Sequence, residues 1–311
     1  MTMEIQKIKI GLPRAMLYYR YRVLWRTFFQ ELGMETVVSA ATDRDIMEKG
    51  TALAIDEACL SLKIYLGHVA ALAGQCGYIL VPRVSNFGFH RNMCTRFEAL
   101  PDLVRNVFRN QDVKVLSYNV DELEKKSERL AFLDMGMQLG CSLKAAHRAY
   151  KLAKKAELAE HKARVQKQEA LCKQEGMKIL IAAHSYVAED PYMGKVVVDY
   201  LKRSGAIPLR ADLVDRDGAL KWSRELSPTC KWEVNREILG GIVQHEGDVD
   251  GIILLSAFPC GPDAMVNELI ARRVKGVPLL NLVLDSQSGT AGVETRLESF
   301  IDIIKFKEGK L

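Results

Sequence analysis

The sequence predicts an α/β protein built from two Rossmann-like, doubly wound parallel-sheet domains joined by a long helical connector. Three observations predict it. Short apolar runs of strand length alternate with segments of helical spacing. The alternation stops over residues 121–175, a stretch rich in Ala, Glu, Lys, Leu and Gln, and then resumes. The chain has 311 residues, enough for two cores of roughly 150 residues each. The expected divisions are therefore an N-terminal α/β domain at 1–120, a connector at 121–175 and a C-terminal α/β domain at 176–311.

In order, "IKIG" from Ile8 to Gly11 reads as a first strand, with a turn at Leu12-Pro13 and helical spacing over 14–32. "METVVSA" is a second strand, and "DRDIMEKGTALA" a helix and turn. "EACLSLKIYLGHVAALAG" is a helix closed by Gly74. "CGYILVPRV" and "DVKVLSYNV" are the third and fourth strands. The connector reads as one or two long helices broken near Gly136 to Ser142. "MKILIAAHSY" then runs from strand into loop, and "DPYMGKVVVDYLKRSG" is a helix with Pro191 near its start and Gly205 past its end. "AIPLRADLV" is extended and "SPTCKWEVNREILGGIVQHEG" helical. "VDGIILLSAF", "PDAMVNELIARRVKG", "VPLLNLVLD" and "GVETRLESFIDIIKFKEG" complete the alternation as strand, helix, strand, helix. In such sheets ligands sit beyond the C-terminal strand ends, which directs attention to "VPRVSNFGFHRNMC", "AAHSYVAEDPY", "SAFPCGPD" and "LDSQSGTAG".

Composition narrows the function. The net charge of +5 is too small to argue for nucleic acid, and aromatic residues are not interleaved with basic ones; an anionic ligand is compatible. The N-terminal residues show no apolar core of a signal peptide and no stretch reaches the length of a membrane span, so a cytoplasmic protein is expected. There is no G-x-G-x-x-G after a strand and no G-x-x-x-x-G-K-[ST], hence no sequence case for a dinucleotide site or for ATP hydrolysis. Seven cysteines without an export signal point to reduced thiols: buried, catalytic or metal-ligating.

Three of the seven share a setting. Cys260 ends a strand just before Pro262, which suits the first turn of a helix. Cys59 lies at the start of another predicted helix. Cys94 sits in a polar loop between Arg91 and Arg96. A helix start or a neighbouring cation favours a thiolate. Cys76, Cys141, Cys172 and Cys230 read as structural thiols. Three lone cysteines on three loops differ from the local pairs of structural zinc sites. They suit an iron–sulfur cluster with an open iron, or a three-cysteine zinc site.

"IGLPRAMLYYRYRVLWRTFFQELGMETVVSAATDRDIMEKG", "DEACLSLKIYLGHV", "CTRFEALPDL" and "LLSAFPCGPDAMVNELIARR" resemble the activase-related proteins of the 2-hydroxyacyl-CoA dehydratase D-component group. The resemblance implies a [4Fe–4S] or double-cubane [8Fe–9S] cluster on Cys59, Cys94 and Cys260. It also implies a site loop bearing His184, Tyr186 and Asp190. The implied electron donor is a separate ATP-dependent activator with its own cluster. A small molecule or acyl-CoA is then reduced or dehydrated by a homodimer or a heterodimer with a related subunit. The alternatives are a non-catalytic cluster carrier or scaffold and a two-lobed small-molecule binding protein.

Overall fold

Pro82 shows how the local sequence shapes this chain. The third apolar run is extended from Tyr78 to Asn86, yet Pro82 has no N–H to donate and divides it into two strands. Pairing passes across the gap: Val81 N–H donates to Leu116 O (2.8 Å) and Arg83 N–H to Tyr118 O (2.9 Å). The partner run is divided in the same way. The computed structural model describes residues 8–288 and 290–307, grouped in two units. One comprises Met1–Ala41, Asp45–Ala54 and Leu62–Glu160; the other comprises Thr42–Arg44, Ile55–Ser61 and His161–Leu311.

The first unit opens with β1 (Lys9–Leu12), α1 (Tyr18–Glu31), β2 (Glu35–Val38), α2 (Arg44–Leu53) and α3 (Leu60–Leu72), of which Arg44, Leu60 and Ser61 count with the second unit. It continues with β3 (Tyr78–Leu80), β4 (Arg83–Asn86), α4 (Thr95–Glu98), α5 (Leu100–Val107), β5 (Val115–Leu116) and β6 (Asn119–Asp121). α6 (Glu128–Gln138) follows, and then α7 (Leu143–Cys172), which counts with the first unit up to Glu160. The main sheet has the order β2-β1-β3-β5, and β4 pairs with β6; all pairs are parallel. α1 buries Leu24, Trp25, Phe28 and Phe29 at helical spacing. The Trp25 indole donates to the Tyr118 hydroxyl (3.1 Å), satisfying two buried polar groups. Between α6 and α7 the chain reverses at Gly140, whose φ of 80° is left-handed. That is the break expected between Gly136 and Ser142.

The second unit holds β7 (Lys178–Ala182), α8 (Ser185–Ala188), α9 (Gly194–Arg203), β8 (Ile207–Arg210), α10 (Arg216–Leu226) and α11 (Glu233–His245). After them come β9 (Gly251–Ala257), α12 (Gly261–Arg273), β10 (Leu279–Leu284) and α13 (Thr290–Lys307). The last two residues of the expected closing helix fall outside the described residues. The sheet order is β10-β9-β7-β8, again all parallel. Every residue of β9 is buried, which explains its unbroken apolar sequence: a central parallel strand is covered on both faces. The expected α/β class with parallel sheets is thus observed. None of the described helices is long and apolar enough to cross a membrane.

Two helical expectations are corrected. The helix anticipated from Ser227 starts at Glu233, because "SPT" forms a turn in which Ser227 Oγ accepts from Cys230 N–H (3.1 Å). Cys230 therefore precedes the helix. Ahead of it lies α10, which the sequence reading passed over. Its signal is Asp215, whose carboxylate accepts from Gly218 N–H (2.8 Å) as an N-cap, followed by buried Ala219, Leu220, Ser223 and Leu226. Two glycines let α11 pack closely, one against α10 and the other against the residue that follows β8. A Cβ on Gly240 would lie 2.2 Å from Ala219 O, and one on Gly241 would lie 1.8 Å from Ala211 O. Gly241→Ala is expected to cost about 1–3 kcal/mol through forced separation of packed backbone. Gly247→Ala, which meets open space, is expected to be neutral. Urea unfolding midpoints of the two variants check the contrast.

Candidate functional site

The site grows from the end of β9. After Ala257 the chain passes Phe258 and Pro259, and Cys260 becomes the N-cap of α12 with extended backbone (φ −85°, ψ 107°) and Pro262 in the first helical turn. β7 and β9 are adjacent in the sheet, and strand order runs outward from them in both directions. The loops leaving these two strands therefore flank the point where connections diverge, the usual position of a ligand crevice. The β7 loop carries His184, Tyr186 and Asp190; the β9 loop carries Cys260 and Asp263.

Asp263 is the centre of a buried polar cluster. It is 5% exposed, His184 4% and Asn235 3%. His184 Nε2 lies 2.6 Å from Asp263 Oδ1, and Asn235 Nδ2 donates to the same oxygen (2.9 Å). Burial alone would raise the Asp263 pKa, but the His184 charge and the hydrogen bonds from His184, Asn235 and Cys260 outweigh it and hold the carboxyl below its usual range. Burial alone would lower the His184 pKa, but the Asp263 charge and hydrogen bond outweigh it and raise it. Each shift favours the charged form of its group, as expected of an imidazole and a carboxylate in contact. The His184 ring stacks on Tyr186 (4.9 Å, 19°). Among the described residues its Nδ1 is buried with no hydrogen-bond partner, a group that costs stability unless something uses it.

Cys59 is brought to this cluster from far away in sequence. Residues Ile55–Ser61 belong to the second unit. Leu60 N–H donates to Phe258 O (2.8 Å), tying the start of α3 to the end of β9. The Cys59 sulfur is near enough to act electrostatically on Cys260. The helix start favours a Cys260 thiolate, whereas burial pushes its thiol up. The Asp263 carboxylate and the Cys59 sulfur add to that push against the Asp263 N–H. Desolvation of the anion exceeds the field of the helix terminus.

The other candidates are placed as follows. Cys94 lies in the first unit as N-cap of α4, with Phe97 N–H donating to its carbonyl (2.9 Å). Asp190 is fully buried. Its Oδ1 accepts from Tyr192 N–H (2.9 Å) and Met193 N–H (3.2 Å), and its Oδ2 accepts from Thr42 Oγ1 (2.5 Å). These bonds brace the β7 loop. Among the described residues, no group of three or more His, Cys, Asp or Glu side chains is gathered as a metal-ligand set. Burial raises the thiols of Cys76, Cys141, Cys172 and Cys230 as well. Asn235 and Asp263 were not singled out from the sequence. Asp263 was visible as an acid in the first turn after Pro262, but nothing local marks Asn235.

The fold and site define the class: a parallel α/β protein with a thiol pair beside a buried carboxylate–imidazole pair. Residues 9–214 match the model of the family described as CoA enzyme activase uncharacterised domain, and the chain belongs to that family. This agrees with the resemblance to activase-related proteins of the acyl-CoA dehydratase system. Cys59 and Cys94 fall inside the match, and Cys260 falls beyond its end. No curated protein matches. Among solved structures, the chain is similar to the SBP FpvC from Pseudomonas aeruginosa in complex with Mn2+. That match has 12% identity and a TM-score of 0.29, covering 96% of this chain and 98% of that one. It is also similar to ZnuA (10% identity, TM-score 0.28, 96% and 99% covered). A third likeness is to FpvC with a Ni2+ ion from P. aeruginosa (13% identity, TM-score 0.28, 96% of each chain). At these scores the likeness carries over neither site nor ligand.

Proposed function

We infer that the chain is an iron–sulfur protein of a CoA-enzyme activation system, related to the dehydratase D-component. Its two sheets are read as Rossmann-like, doubly wound halves. The observation that carries the reading is the pairing of Cys59 and Cys260 at the end of β9. The donor set fits in its chemistry: Cys260 at the end of β9 and Cys59, tied to that end by the Leu60–Phe258 bond, each stand just before a helix. Cys94 is proposed as the third thiolate on its sequence setting alone. A [4Fe–4S] or double-cubane [8Fe–9S] cluster held there supplies low-potential electron transfer.

The chain's own residues supply the rest. Asp263, locked by His184 and Asn235, fixes the first turn of α12 and so the position of Cys260. His184, Tyr186 and Asp190 are proposed to position a small molecule or acyl-CoA, Tyr186 by contact and the buried His184 and Asp190 by bracing the loop that carries it. Ile55, Phe258 and Met265 are exposed apolar side chains in the same unit as the thiols. They suit contact with a separate ATP-dependent activator, the partner that family membership suggests.

Anaerobic reconstitution with iron and sulfide tests the reading. The wild-type chain is expected to bind iron and acid-labile sulfide and to give an electron paramagnetic resonance signal on reduction. Cys59→Ser, Cys260→Ser and Cys94→Ser are each expected to lower the iron content severalfold. A wild-type chain still free of iron after reconstitution overturns the proposal. Transfer of the cluster to an apo-acceptor without any turnover would assign the chain as a carrier instead.

A further inference from the structure

The first unit contains a cavity of about 580 Å3 beside the edge strand β5, remote in chemistry from the thiols of the second unit. Its volume lies within the range of small-molecule sites. Arg105 reaches it from the last turn of α5, and Lys125 and Lys126 from the turn that precedes α6. Lys125 is held in left-handed backbone (φ 59°). Among the described residues, Asp134 is the one acid on the wall, against three cations. Arg105 also pairs with Asp102 (3.1 Å), which leaves the two lysines as the principal charge facing the cavity. Leu130 supplies apolar wall.

The wall also holds an unused acceptor. Asn119 lines the cavity; its Oδ1 is buried and has no hydrogen-bond partner among the described residues, and rotation of the amide would present it to a ligand. A buried carbonyl oxygen left unpaired is costly, and a ligand N–H or O–H relieves that cost. The ligand that satisfies this wall carries a phosphate for the lysines, a hydrogen-bond donor for Asn119 and an apolar or ring portion for Leu130. Inorganic phosphate is too small for the volume and meets only the first demand. The geometry points to a binding site for a phosphorylated, nucleoside-monophosphate-sized molecule in the first unit, independent of the cluster reading.

Isothermal titration of the full chain with adenosine 5′-monophosphate at low salt tests it, with inorganic phosphate and adenosine as separate titrants. Saturable one-to-one binding is expected, with a dissociation constant of about 1 mM or tighter and weakening as salt rises. The exposed Lys125→Ala/Lys126→Ala double variant, with an unchanged unfolding midpoint, is expected to bind at least about tenfold more weakly. Arg105→Gln is expected to weaken binding in the same direction, and Asn119→Leu to remove the preference for the nucleotide over phosphate. Absence of binding, equal binding by the lysine variant, or inorganic phosphate binding as tightly as the nucleotide overturns the proposal.

Discussion

Asp263→Ala is expected to destabilise the protein by about 3–5 kcal/mol, the range for removing one partner of a buried ion pair. The loss has two sources. His184 keeps a buried ring whose Nε2 has lost its acceptor at 2.6 Å, and Asn235 loses the acceptor of its amide at 2.9 Å. The Asn235 and His184 side chains have almost no access to water, so solvent cannot replace the carboxylate. Asp263→Asn keeps the shape but removes the charge, and is expected to fall between wild type and alanine. Urea unfolding near pH 6 measures all three; an alanine variant within 1 kcal/mol of wild type would show that the cluster is not a buried ion pair.

The same pair sets a pH dependence. His184 holds its proton more tightly in the folded chain than in the unfolded one, where imidazole titrates near 6.5. Its stabilisation is therefore complete below about pH 6.5 and fades as pH rises through the higher folded value. His245 has the opposite sign. Burial depresses its pKa, so its contribution is present above about pH 6.5 and is lost as pH falls. Unfolding free energies of His184→Gln and His245→Gln from pH 5 to 9 separate the two slopes. The first variant should lose the decline on the alkaline side, the second the decline on the acid side.

Arg210→Met is expected to cost about 3 kcal/mol and to loosen the loop that carries the site. Arg210 ends β8. Its guanidinium donates to both carboxylate oxygens of Asp212 (2.8 and 2.5 Å) and to Glu189 Oε1 (2.7 Å). Glu189 also pairs with Arg164. All of these side chains are largely buried, so removal of Arg210 takes a cation from both Asp212 and Glu189. Glu189 immediately precedes Asp190, so its release frees the loop from His184 to Tyr192. Faster amide exchange at Tyr192 and Met193, whose N–H groups donate to Asp190, is the local readout. Arg210→Lys is not expected to rescue, because an ammonium cannot reproduce the planar fork. Full rescue by lysine would mean that charge alone matters there.

Much of this fold is legible locally. β9 reads as "GIILLSA" and is buried along its whole length. α7 reads as a long polar-faced helix and is one. The break before it coincides with Gly140 in left-handed backbone. Where local reading falls short, the causes are identifiable. Pro82 interrupts a strand that apolar content alone extends. α10 has a modest apolar face, and its N-cap Asp215 lies within a run of charges that resembles a loop.

The candidate site divides along the same line. Cys260, at a strand end before Pro262, is a property of seven adjacent residues, and the sequence by itself determined that placement. So it did the parallel α/β alternation, because both follow from hydrophobic period and turn chemistry within a short window. Only the tertiary structure decided that Cys59 stands beside Cys260, through the Leu60–Phe258 hydrogen bond, and that Asp263 is shared by His184 and Asn235. It also set burial of the Cys260 thiol against the effect of the helix start. A helix start favours the thiolate over a few residues, whereas desolvation depends on everything packed around the sulfur, and that packing comes from segments far apart in the chain.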